Sequence, residues 1–94
     1  MAKTPRMTRD AAETLALQGL AFLAGDPARL TRFLSLTGID PSAMKAWDGN
    51  GDLQGAVLEH LLGDESLLLV FAAEAGLEPQ TIAPAHALLT GNAY

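Results

Sequence analysis

The sequence matches itself at an offset of 38 positions. "LAFLAGDPARLTRFLSLTGIDPSAM", from Leu20, lies over "LEHLLGDESLLLVFAAEAGLEPQTI", from Leu58, without a gap. Identities fall at Leu23 and Leu61, Gly25 and Gly63, Asp26 and Asp64, Leu30 and Leu68, Phe33 and Phe71, Gly38 and Gly76, and Pro41 and Pro79. These residue types start and stop helices. Glycine tolerates the left-handed backbone that ends a helix, so each of the four matched glycines is expected there as a stop. Asp26 and Asp64 can accept free amides of the helix that follows. Pro41 and Pro79 suit a first helical position behind Asp40 and Glu78 as caps, and Ile39 with Met44, like Leu77 with Ile82, has the spacing of a hydrophobic staple.

The expected fold is therefore all-α: a compact bundle of about six short helices, arranged as two pseudo-repeats of three helices. The spacing predicts helices near 9–24, 26–37, 41–47, 52–62, 64–75 and 79–90. Pro84 is expected to kink or divide the last of these, because it lacks an amide hydrogen and crowds the preceding turn. Two copies are too few for an open solenoid, so the halves, 9–47 and 48–90, should close on each other within one domain, 9–94, behind a flexible basic tail, 1–8. Composition agrees: the chain is 49% hydrophobic but only 5% aromatic, so its core must be mostly Leu and Ala, which favour helix over strand.

Charge divides the chain. All six basic residues (Lys3, Arg6, Arg9, Arg29, Arg32 and Lys45) precede residue 46, whereas the remainder holds seven acidic residues and no Lys or Arg. Such an acidic half repels phosphate backbones and suits a basic partner. There are no cysteines, which excludes thiolate catalysis and fits a reducing compartment. Asp10, Glu13 and Gln18 interrupt what would be the apolar core of a signal peptide, and no stretch approaches the roughly 20 apolar residues of a membrane span. A cytoplasmic protein is expected, with no membrane contact.

Three motifs bear on chemistry. In "WDGNGDLQGAVLEH", Asp48, Asn50, Asp52 and Glu59 have the spacing of an EF-hand's oxygen ligands. However, Leu53 stands where that loop needs glycine, and Leu53, Val57, Leu58, Leu61 and Leu62 form a helical stripe. Asp52 then becomes a helix cap, Gly49 to Gly51 the turn, and no metal is expected. Ala72, Gly76 and Ile82, like Leu34, Gly38 and Met44, have the spacing of a helix-turn-helix. The helix after Gly76 offers Glu78, Gln80, Thr81 and His86 but no cation, so nucleic acid is not the expected partner. The histidines, His60 and His86, read as surface residues, and Ser35, Ser42 and Ser66 lack a base or a glycine elbow. No catalytic residue or cofactor site is expected.

"TRDAAETLALQGLAFLAGDPARLTRFLSLTGIDP" with "AVLEHLLGDESLLLVFAAEAGLEP" resembles a family of short, uncharacterised alphaproteobacterial proteins, a domain of unknown function. The resemblance spans roughly residues 8–90 and implies an all-helical bacterial cytosolic protein, with no activity, cofactor or site to carry over.

The expected function is a protein–protein interaction module without catalysis; the alternative is a helix-turn-helix-like, nucleic-acid-associated regulator. Candidate partner contacts are Trp47, which is either a core plug or an interface residue, and the acidic Glu59, Asp64, Glu65, Glu74 and Glu78. The partner expected is a basic protein, or a second copy meeting the acidic surface through Arg29 and Arg32.

Overall fold

The computed structural model describes residues 7–91. Among them are five α-helices: α1 (Arg9–Ala24), α2 (Pro27–Thr37), α3 (Gly51–Leu62), α4 (Glu65–Ala75) and α5 (Ile82–Thr90). Two 3-10 segments, Pro41–Ala46 and Pro79–Thr81, complete six helical units, because the second runs directly into α5. There is no strand among the described residues. Most of the expected basic tail lies outside them; of its last residues, Met7 packs against the core and Thr8 caps α1 by accepting from the Ala11 amide at 3.1 Å.

Helices α1, α3 and α5 pack on one another to make the centre, and α2 and α4 lie across them. Ala12, Leu15, Ala16, Gly19 and Leu23 give α1 a narrow buried face of small and branched residues. Val57, Leu58 and Leu61 meet it from α3, and Ile82, Ala85 and Leu89 from α5. Phe33 and Phe71 are the buried aromatics with which α2 and α4 enter the same core. Close approach of α5 to α3 depends on Gly55, where an added Cβ would lie 2.5 Å from Cγ2 of Thr90. Arg9 ties α1 to the same end of α5: its guanidinium donates to the Leu88 carbonyl at 3.1 Å, in the last turn of α5 where cations are favoured, and pairs with Glu13 at 3.5 Å.

Glu78, expected as a cap, makes no side-chain capping hydrogen bond; the other helix signals hold with three corrections. Gly38 and Gly76 do end their helices in the left-handed region, at φ 71° and 69°. Gly25 and Gly63 do not: φ is −71° and −78°, and the following Asp26 and Asp64, both at φ −136°, turn the chain. A bond from the Asp26 amide to the Leu23 carbonyl, and from Asp64 to Leu61, tightens each of these helix ends, so right-handed backbone suffices there. Second, α3 is capped by Asn50, which accepts from the Leu53 amide at 3.0 Å, and Asp52 lies inside the first turn. Gly51 is the first helical residue, placed where an added Cβ would run into the Leu89 carbonyl, and this moves the start back by a residue so that Asn50 is the cap. Third, the last helical segment divides before Ile82 rather than at Pro84. Pro84 thereby falls in the first turn of α5, where an amide hydrogen has no carbonyl partner to lose.

Candidate functional site

The segment after Gly38 determines where a site can form. Asp40 caps it through the Ser42 amide at 2.9 Å and also accepts from the Ser42 hydroxyl; these bonds favour the carboxylate and lower its pKa. The 3-10 segment Pro41–Ala46 then buries no residue. Asp48 and Gly49 stop it, with Gly49 at φ 72°, and the Trp47 carbonyl accepts from the Asn50 amide to complete the turn. This short strut lies beside α3 and α2 without filling the space between them. An open groove of about 1080 Å³ results, with walls from α2, the strut, α3 and the start of α4.

Leu36, Ile39, Ala43, Leu53 and Ala56 supply its apolar lining, and Leu36 is 65% exposed. Around them stand the carboxylates of Asp40, Asp52, Glu59, Asp64 and Glu65, with Arg32 as the sole cation in the wall. Asp64 is also the cap of α4, accepting from the Leu67 amide at 3.1 Å. Glu59, on the exposed face of α3, meets Nε2 of His86 at 3.3 Å. That ties α3 to α5 across 27 positions of sequence.

His60 forms part of the same wall. Its ring meets Phe33 edge-on, 5.2 Å between centroids, and its Nε2 is sealed from solvent without a hydrogen-bond partner. Burial, reinforced by the positive charge of Arg32 and opposed by Asp64, pushes the imidazole pKa below its usual 6.5. His60 is partly exposed, as expected, but one side of its ring is closed by Phe33. Sequence gives no local sign of this, because the Phe33 contact comes from a different helix.

Of the residues singled out from sequence, Glu59, Asp64 and Glu65 come together in the groove. Glu74 and Glu78 are exposed outside its lining; Glu78 accepts from the Gln80 side chain at 2.7 Å. Trp47 is half-buried against the core, at the turn before α3, and its carbonyl accepts from the side chain of the buried Gln54 at 2.9 Å. Leu36 is a groove residue that sequence reasoning did not nominate, Asp40 and Asp52 were expected only as helix caps, His60 only as a surface residue, and Arg32 only as a contact to a second copy. The EF-hand spacing resolves into a turn followed by helix, with Leu53 buried and Glu59 two turns along α3. No group of three potential metal-binding side chains occurs among the described residues. The helix-turn-helix spacing places α5 against α1 and α3, with Ile82, Ala85 and Leu89 buried.

Fold and groove together define a small all-α domain with an acidic cleft on one flank. A family described as a protein of unknown function, DUF3572, matches residues 9–92, and the chain belongs to it. No curated protein matches the chain, nor does any solved structure. No helix among the described residues is long and apolar enough to cross a membrane.

Proposed function

We propose that this protein is a cytosolic protein–protein interaction module of alphaproteobacterial type, that it performs no catalysis, and that its partner is a basic protein seated in the groove. The single observation that carries this reading is the composition of the groove wall: an apolar lining with a 65% exposed Leu36, bordered by five carboxylates and one arginine. Apolar lining surrounded by charge is the anatomy of a protein interface, with a water-excluding centre and a polar rim. The volume lies at the upper limit of small-molecule sites, and the groove is too open to enclose such a ligand. The absence of cysteine fits a reducing cytosol.

A photo-crosslinking side chain placed at Leu36, in cells of the source organism, tests this. A discrete adduct with another polypeptide from position 36, and none from Thr14 on the exposed face of α1, is the expected result. Equal labelling from both positions, or no adduct at all, would overturn the reading.

A further inference from the structure

We propose that the occupant of the groove is a basic amphipathic helix of the partner, with two cationic side chains two turns apart and an apolar side chain between them. This rests on the reading of the groove as a protein-binding site. Asp52 and Glu59 both line it from α3 and stand seven residues apart; Glu59 also meets Nε2 of His86 at 3.3 Å, but its side chain stays 76% exposed and has a second oxygen to offer. At 1.5 Å per residue that is about 10 Å and nearly two full turns, so the two carboxylates share a face of α3. Ala56 lies between them on the same helix, and Leu36 borders the groove from α2. A ligand running along α3 therefore meets carboxylate, apolar surface, then carboxylate again.

The walls also select the ligand's backbone. A peptide in extended form gains affinity by pairing with an open strand edge, and no strand exists among the described residues. Helical walls have already satisfied their own amides and carbonyls. An occupant must do the same internally, and a helix does so. A second copy offering Arg29 and Arg32 fits less well. Arg29 already pairs with Asp26 at 3.8 Å and lies over the Phe22 ring at 4.4 Å, while Arg32 is part of the groove wall itself.

The test uses the full chain and two synthetic helical peptides of equal composition. One carries lysines two turns apart with a leucine midway; in the other, one lysine is moved around the helix by two positions. NMR shift changes should centre on Leu36, Asp52, Ala56 and Glu59, with the first peptide binding several-fold more tightly. Asp52→Asn and Glu59→Gln should each weaken it roughly threefold, the size of an exposed ion pair, and together abolish the preference. Equal binding of both peptides, or shifts centred elsewhere, overturns the proposal. So does a concentration-dependent dimer in sedimentation whose contacts include Leu36. If neither peptide binds while position 36 still gives its adduct, the register and helical form are wrong and the groove reading stands. Loss of the adduct as well removes both.

Discussion

The two segments that follow Gly38 and Gly76 begin alike and end differently. Both leave a left-handed glycine, pass an acidic residue and enter 3-10 geometry at a proline. After Pro41 the helix lasts six residues, buries no residue fully, has Met44 half-buried against the core, and meets Asp48 and Gly49. After Pro79 it continues as α5, whose Ile82, Ala85 and Leu89 recur at steps of three and four and enter the core between α1 and α3. A left-handed stop, an acidic residue and a proline thus open a helix in either place, although only Asp40 bonds an amide there, and the apolar residues downstream decide whether it is buried. The first segment packs on the core only through Met44 and its flanks Ile39 and Trp47, and the groove stays open beside it.

The largest test of that contrast is truncation at equivalent points. Ile82 is fully buried, so Ile82→Ala should cost about 2–4 kcal/mol, whereas Met44→Ala, at the half-buried counterpart, should cost less than about 1.5 kcal/mol. Urea denaturation of both variants measures this, and equal losses would mean the two segments contribute equally to the core. Next in size is the seat of α5. A Cβ at Gly51 would run into the Leu89 carbonyl, a backbone atom that cannot rotate away. Gly51→Ala should therefore cost about 1–3 kcal/mol by overpacking, and the crosspeaks of Leu88 and Leu89 should move in NMR spectra.

The glycines sharpen the comparison further, since the helix ends fall into two kinds. Gly38→Ala and Gly76→Ala place a side chain at positive φ and should each lose about 1–2 kcal/mol. Gly25→Ala and Gly63→Ala should change stability by less than about 0.5 kcal/mol, because φ is right-handed and an added Cβ comes no nearer than 3.4 Å to any atom. Losses of the same size at all four would restore the left-handed stops first expected at every matched glycine.

How much of this was legible follows the range of the interaction. Caps at Asp26, Asp40 and Asp64, the stops at Gly38 and Gly76, and the core positions of Phe33 and Phe71 depend on neighbours within a turn or on a periodic face. Helix bounds came within a residue or two for that reason. The groove is different in kind. It depends on Arg32 and Leu36 from α2, Asp40 from the strut and Asp52 from α3 coming together, and no periodicity links those positions. Equally silent were the steric need for Gly55, set by Thr90, and the link from Glu59 to His86. Gln54 misled in another way: a polar residue in a helix predicted to bury only leucine and valine, it is 2% exposed and holds the Trp47 carbonyl.

The smallest expected effect belongs to His60, in the wall left open by the short segment. Its folded pKa is lowered by burial and by Arg32 from α2, against the raising influence of Asp64 at the head of α4. In the unfolded chain the imidazole returns to its ordinary value near 6.5. Below about pH 6.5 the unfolded state therefore takes up a proton that the folded state resists, and stability falls as pH descends toward the folded pKa. Above that window the contribution is complete, so acid should weaken the protein here while mild alkali should not. His60→Gln, which cannot titrate, should flatten this part of the profile when urea midpoints near pH 7.5 and 5.5 are compared. Arg32→Gln should flatten it only in part, because burial acts more strongly than that charge. Parallel pH profiles for wild type and His60→Gln would show the imidazole to be freely solvated, and the closed contact between α2 and α3 at Phe33 would have to be redrawn.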